Sequence, residues 1–406
     1  MDLPITAAAR ALASGDPLGA LNWVALLDDA PALALRGIAM AQLGDLVRAK
    51  ALVKRAAQAF GPKEPLARAR CLVAEAEIAL AARDLTGPTN ALDSARVTLE
   101  KQGDRMNAAH ARQLEIRRLV LIGRLDEAEQ MLGKVDAMPF SPALRAVHEL
   151  IVAGIAMRRL RTKEARAALD RAEGAARRAG IPALTAEVES AARALNTPAA
   201  RLIARGAERL VLPGEVETLF ASKALVVDAC RHVVRKARTV VSLARRPVLF
   251  ALARALGEAW PGDLPRETLI ARAFGGKRAD ESHRARLRVE VGRLRAALRS
   301  FSEVRATPRG FVLAPHRGVE VVVLAWPAEE QHAAVLAILA DGESWSTSAL
   351  ALALGTSQRT VQRALDALAA EGKAKSFGSG RARRWITPPL PGFTTLLLLP
   401  SPLTVG

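Results

Sequence analysis

The sequence contains no tyrosine, and Phe and Trp together make up only 3% of its 406 residues. So few bulky aromatics argue against a helix that lies on a membrane surface, where one face must carry them. The longest purely aliphatic run is Leu-Leu-Leu-Leu at 396–399, far short of the roughly 20 apolar residues that a bilayer span needs. The segment MDLPITAAARALASGDP lacks a basic n-region and a long apolar core, so no leader is expected. Cysteine is nearly absent. Cys71 and Cys230 stand in different segments, which excludes a disulfide framework and suits two small buried side chains in a reducing compartment.

Catalytic signatures are missing as well. FGGKR at 274–278 has neither the upstream Gly nor the Ser/Thr that a phosphate-cradling loop requires. His148-Glu149 is not followed by the second His of a zincin. Cys230 and His232 are an isolated pair, and two cysteines cannot supply a four-ligand zinc set of the Cys-rich kind. The six histidines are scattered, and no Ser stands in a nucleophile elbow. The expectation is a protein that is not an enzyme and needs no cofactor or metal.

What is present is Ala, Leu and Arg. Half the residues are apolar, enough for a sizeable core, and the length allows two to four domains. Heavy Ala and Leu usage favours helix. The net charge is +18, unevenly spread: residues 1–200 carry 28 Lys/Arg against 23 Asp/Glu, the remainder 31 against 18. A basic C-terminal half is the electrostatic footprint of a polyanion-binding protein.

Residues 20–180 read as successive helical hairpins. ALRGIAMAQLGDLVRAKALVKRAAQAF, LEIRRLVLIGRLDEAEQMLGKVD and AVHELIVAGIAMRRLRTKEARAALDRAEGAARRAG share a plan of helix, short turn and second helix. An Ala near the start of each second helix recurs at 49, 91, 128 and 165, with separations of 42, 37 and 37. With Gly37, Gly44, Gly123 and Phe60 also in place, the region resembles tetratricopeptide repeats, although the consensus Trp and Tyr are missing. The resemblance implies stacked hairpins with a face for a protein or peptide partner. A plain helical bundle serving dimerisation has the same composition.

The pattern changes after Asn196-Thr197-Pro198. KALVVDACRHVV and TVVSL read as strands. RRPVLFALARALGEAW reads as a helix with Leu249, Leu252 and Leu256 on one stripe; RETLIARAF and ADESHRARLRVEVGRLRAALRSF follow as helices, and VRATPRGFVLAP as a hairpin. In the last helix Leu287, Val291, Leu294 and Leu298 form an apolar stripe at spacings of 4, 3 and 4. Arg284, Arg286, Arg288, Arg293, Arg295 and Arg299 occupy the remaining arc, a face suited to guanine edges and phosphates. Residues 222–325 resemble the OmpR/PhoB-type winged helix of response-regulator effector domains. Leu225, Asp228, Pro247, Leu249, the Arg-Leu-Arg of the third helix and TPRGFVL carry the likeness, with Phe311 where the family has Tyr. The likeness implies base or phosphate contacts from these arginines of the third helix and from Arg309 in the wing. His283 is a lesser candidate. Residues 1–200 lack the βα alternation of a phosphoacceptor receiver.

A second such pattern lies in TSQRTVQRALDALAAEGKAKSFGSGRARRW. Val335, Leu336 and Leu339 mark one helix, 346–354 a second, and Thr356 or Ser357 caps a third that buries Val361, Ala364, Leu365 and Leu368. That burial turns Ser357, Gln358, Arg359, Thr360, Gln362 and Arg363 outward, at the helix start that reaches base edges in a helix-turn-helix. Gly378-Ser379-Gly380 joins two short strands, giving a basic arm with Arg381, Arg383 and Arg384. The string resembles the winged helix-turn-helix of small bacterial regulators.

The expected fold class is mainly α with small β-hairpins and sheets: a tetratricopeptide-like array (1–200), a first winged helix (201–327) and a second with a C-terminal tail (328–406). The expected function is a sequence-specific, double-stranded-DNA-binding transcriptional regulator of bacterial type, cytoplasmic and nucleoid-associated. It acts as a homo-oligomer, such as a dimer, with a possible protein or peptide partner on the repeats and no membrane. The alternative is an interaction adaptor whose basic half holds nucleic acid without sequence choice.

Overall fold

The computed structural model describes residues 3–81, 89–121, 123–135, 140–274, 281–316, 319–327, 332–339, 345–354, 356–380 and 383–387. The chain is mainly α-helical with small sheets. It forms two compact units, Met1–Arg159 with Lys163–Ala194, and Leu160–Thr162 with Leu195–Pro388.

The first unit runs α1 (Leu3–Ala13), α2 (Pro17–Val24), α3 (Ala30–Gln42), α4 (Leu46–Phe60), α5 (Pro65–Ala81), α6 (Thr89–Lys101), α7 (Arg105–Leu121), α8 (Leu125–Leu132), α9 (Pro142–Arg158), α10 (Thr162–Ala179) and α11 (Pro182–Leu195). A Gly-Asp pair builds three of its corners. Gly15, Gly44 and Gly103 hold φ of 78°, 87° and 76°, a conformation that ends a helix without a Cβ clash. The following Asp16, Asp45 and Asp104 cap the next helix, accepting from the backbone N–H of Gly19 (2.8 Å), Arg48 (3.1 Å) and Asn107 (3.2 Å). Ala49, Ala128 and Ala165 are fully buried at the starts of α4, α8 and α10. In α6 the buried position belongs to Ala95, one turn beyond the half-buried Ala91.

Helix α7 buries most of its circumference, and the buried part includes polar groups. Asn107, His110, Gln113 and Arg117 follow one another at helical spacing, a pattern that periodicity alone assigns to solvent. Each meets a partner: Asn107 Nδ2 donates to Asp104 (2.7 Å), His110 pairs with Glu77 (2.8 Å), Gln113 donates to the Leu144 carbonyl (3.2 Å), and Arg117 donates to Glu187 of α11 (2.5 Å). A desolvated charge persists only when paired, so the Arg117–Glu187 contact pins α11 to α7.

The second unit contains β1 (Ala200–Ala204), β2 (Ala207–Val211), α12 (Pro213–Ala221), β3 (Leu225–Asp228), β4 (Val233–Lys236), β5 (Thr239–Ser242), α13 (Pro247–Ala259), β6 (Leu264–Pro265), α14 (Arg266–Phe274), α15 (Glu281–Leu298), β7 (Ser302–Ala306), β8 (Gly310–Pro315) and β9 (Val321–Ala325). It continues with α16 (Ala333–Leu339), α17 (Thr347–Leu354), α18 (Gln358–Ala370), β10 (Lys375–Phe377) and β11 (Arg384–Ile386). Six strands form one sheet in the order β2-β1-β9-β3-β4-β5, antiparallel throughout except for the parallel β3–β9 pair. Alternation decides which face each side chain serves. Leu225, Val227, Val321 and Val323 face α13, whereas Val226, Val322 and Leu324 pack with Val216 of α12.

The same core continues through α14, α15 and the three-stranded sheet β6-β8-β7, burying Leu269, Leu287, Val291, Leu294, Leu298 and Phe311. A separate core unites α16, α17 and α18 with the β10–β11 hairpin around Trp385, which is 1% exposed. Three features were not expected from the sequence. KALVVDACRHVV is two strands divided by a turn in which His232 holds φ of 52°, residues 200–211 form a hairpin, and Val321–Ala325 returns to the sheet centre.

Candidate nucleic-acid interface

Burial of Leu287, Val291, Leu294 and Leu298 turns Arg284, Arg286, Arg288, Arg293, Arg295 and Arg299 of the α15 segment to solvent. Their side chains are not equally available. Arg284 lies 3.6 Å from Glu281, the Arg286 guanidinium stands 4.5 Å above the Phe274 ring, and Arg293 pairs with Glu290 at 2.8 Å. Arg295 donates through Nε to the Val304 carbonyl at 2.7 Å, which ties α15 to the following hairpin. The guanidinium groups of Arg288 and Arg299 have no partner among the described residues. His283 is half-buried, with its ring 6.1 Å from that of Phe274.

The β7–β8 turn beside them is fixed to the start of α14. Arg266 donates to the carbonyls of Pro308 (3.1 Å) and Thr307 (3.2 Å), and Thr307 Oγ1 donates to Asp263 at 2.6 Å. Arg309 projects from this turn with 73% of its side chain exposed, 3.8 Å from Asp263. The pairing is solvated and therefore weak, so the guanidinium stays available.

Ser357 caps α18, its Oγ accepting from Thr360 N–H at 3.1 Å and lying 2.8 Å from Thr360 Oγ1. Ser357 and Thr360 thus commit their hydroxyls to each other and to the helix start. Gln358, Arg359 and Arg363 are exposed, and neither arginine has a partner among the described residues. Gln362 is half-buried instead. Its Nε2 donates to Asp366 (2.7 Å) and its Oε1 accepts from Thr347 Oγ1 (3.3 Å), which in turn accepts from Trp385 Nε1 (3.2 Å). Gln362 therefore positions α18 against α17 and the hairpin. Periodicity does not show this, because the relay spans 15 residues from Gln362 to Thr347 and 38 from Thr347 to Trp385. Arg383 is exposed, 4.5 Å over the Trp385 ring, and Arg384 is half-buried with Nη1 donating to the Arg383 carbonyl at 3.1 Å. Arg381 lies outside the described residues.

The sequence pair Cys230 and His232 sits away from these arginines, in the β3–β4 turn. Asp228 accepts from the backbone N–H of Cys230 (2.9 Å) and Arg231 (3.1 Å), and burial holds its carboxyl above the usual range. His232 stacks on Phe250 with ring centroids 4.1 Å apart. Burial first, and then the Arg254 charge, bring its imidazole down to about 4, so it is neutral at physiological pH. Burial also pushes the Cys230 thiol up, which removes nucleophilic thiolate. Among the described residues no group of three His, Cys, Asp or Glu could hold a metal ion, and no helix is long and apolar enough to cross a membrane.

The basic groups are thus presented by two helices of similar setting. Each is the third helix of a small core, carries outward arginines, and is followed by a β-hairpin bearing further arginines. No protein-family model, curated protein or solved structure matches the chain.

Proposed function

We propose that this chain is a sequence-specific DNA-binding transcription regulator, in which α15 and α18 enter major grooves and the β7–β8 and β10–β11 hairpins act as wings. The observation that carries the reading is the set of guanidinium groups on the two helices that have no partner among the described residues. Arg288 and Arg299 belong to the α15 segment, and Arg359 and Arg363 to α18. Partner-free arginines on the outward arc of a packed helix suit bidentate contact with guanine or phosphate. Phosphate contacts supply most of the affinity and make it salt-dependent. The helical unit serves oligomerisation, as a dimer, or holds a partner that sets DNA binding.

Mobility shift with labelled genomic fragments tests the reading. Wild-type protein is expected to bind at low salt, weaken steeply as salt rises and prefer some fragments over others. Replacing both Arg359 and Arg363 with Ala is expected to remove most of that binding. Absence of binding at low salt would overturn the proposal. A flat profile across fragments would replace it with the adaptor that grips nucleic acid without sequence choice.

A further inference from the structure

We infer that Val289 reads the 5-methyl group of a thymine in the major groove, an inference that rests on the DNA-binding reading of α15. Val289 lies on the side of α15 opposite the buried stripe of Leu287, Val291, Leu294 and Leu298, and is 54% exposed. A valine left in water at the centre of a helix face forfeits the free energy that its burial would supply. Its neighbours along that face, Ala285, Gly292 and Ala296, are all exposed and all smaller. Val289 is therefore the tallest group on the outward line of the helix.

The flanks of that line are cationic on both sides. At 3.6 residues per turn, Arg284, Arg288, Arg295 and Arg299 border it on one side, and Arg286 and Arg293 on the other. A protein partner with an apolar surface has only one sizeable side chain to cover here, ringed by six guanidinium groups. Membrane insertion requires bulky apolar residues that this face lacks. The major groove fits both parts of the pattern. Its walls are two rows of phosphates, which Arg288 and Arg299, without a partner among the described residues, meet on one border and Arg286, over the Phe274 ring, meets on the other; at about 12 Å wide the groove admits a helix. Its floor consists of hydrogen-bonding edges with one apolar exception, the thymine methyl. The small residues on either side let the helix approach the floor, and Val289 then meets the one group there that shares its chemistry.

The test uses the full chain. Bound sequences are selected from a random duplex library at fixed salt, and each thymine of the preferred duplex is then replaced in turn by deoxyuridine, which removes only the methyl group. Wild-type binding is expected to weaken about fourfold at one such position, the loss from exposing a single buried methyl. Val289→Ala is expected to bind the thymine duplex about fourfold more weakly, and to be indifferent to the exchange at that position. Its dependence on salt should be unchanged, because no phosphate contact is lost. Arg288→Ala with Arg299→Ala should do the reverse, lowering the salt slope by about two while keeping the methyl sensitivity. Wild-type affinity insensitive to deoxyuridine at every position overturns the inference, as does a Val289→Ala protein that keeps the sensitivity. Failure of wild-type protein to bind any duplex at low salt overturns the DNA-binding reading itself, and this inference with it.

Discussion

Replacing Gly310 with Ala is expected to detach the β7–β8 hairpin from β6, whereas the same change at Gly292 should stabilise α15. A Cβ on Gly310 would sit 1.8 Å from the Leu264 carbonyl oxygen and 2.7 Å from its carbon. Both obstacles are backbone, so no rotamer change relieves them. The register pairs Gly310 with Pro265 and Phe311 with Leu264, and the strands must separate there. Overpacking of this kind costs about 1–3 kcal/mol. Separation also endangers the Thr307 contacts that close the turn, the N–H bond to the Gly310 carbonyl at 2.9 Å and the Oγ1 bond from Gly310 N–H at 2.9 Å. At about 1 kcal/mol for each of the two hydrogen bonds, the total is about 3–5 kcal/mol. A Cβ on Gly292 meets nothing within 4 Å, so Ala there gains about 1 kcal/mol of helix propensity. Hydrogen exchange read by mass spectrometry, on peptides covering 281–298 and 302–315, measures both. Protection of the hairpin should fall by roughly two to four decades in Gly310→Ala, and that of α15 should rise by somewhat less than one decade in Gly292→Ala. Unchanged hairpin protection in Gly310→Ala would refute the argument that backbone contact at this position sets the strand pairing.

Acid should weaken the second unit through His232. Its folded imidazole titrates near 4 against an ordinary value of 6.5, so below pH 6.5 the unfolded chain takes up a proton that the fold refuses. Stability then declines between about pH 6.5 and 4, by about 3 kcal/mol from this group alone. Asp228, whose raised carboxyl pKa adds stability as pH falls, offsets part of that decline. Urea midpoints at pH 7 and pH 5 should converge in His232→Asn, and an equal pH dependence in wild type and variant would count against the assignment. In the first unit, Arg117→Met should cost about 3–5 kcal/mol by leaving the buried Glu187 carboxylate without its guanidinium, and Glu187→Leu in the same chain should recover most of the loss on thermal unfolding. Trp385→Phe removes the bond from Nε1 to Thr347 and part of the ring volume that fills the last core; the bond alone accounts for about 1 kcal/mol of the loss expected on urea unfolding. A larger loss would show that the ring volume matters more than the relay to Gln362.

The elements with a strong local signal were legible from residue order. The apolar stripes at 287, 291, 294 and 298, and at 361, 364, 365 and 368, assign both the buried face of a helix and, by exclusion, the arginines that face water. The Gly-Asp corners are equally local, because a left-handed turn and a side-chain cap need only a few consecutive residues. Partnership is a different matter. Nothing in the order of residues separates Arg288 and Arg299, which have no partner among the described residues, from Arg295, which is spent on the Val304 carbonyl. Gln362 has the periodicity of a reading residue and is instead held by Thr347. The polar face of α7 looks solvated by pattern and is buried because distant groups fold back onto it, among them Glu187, 70 residues away from Arg117. Val321–Ala325 joins the sheet centre beside β3 through a pairing across nearly a hundred positions. Spacing and short-range sterics were enough to place α15 and α18 and to assign the apolar side of each. Which charged groups are spent on the fold and which stay open to solvent follows from the packed chain instead, because it depends on partners that are distant in sequence.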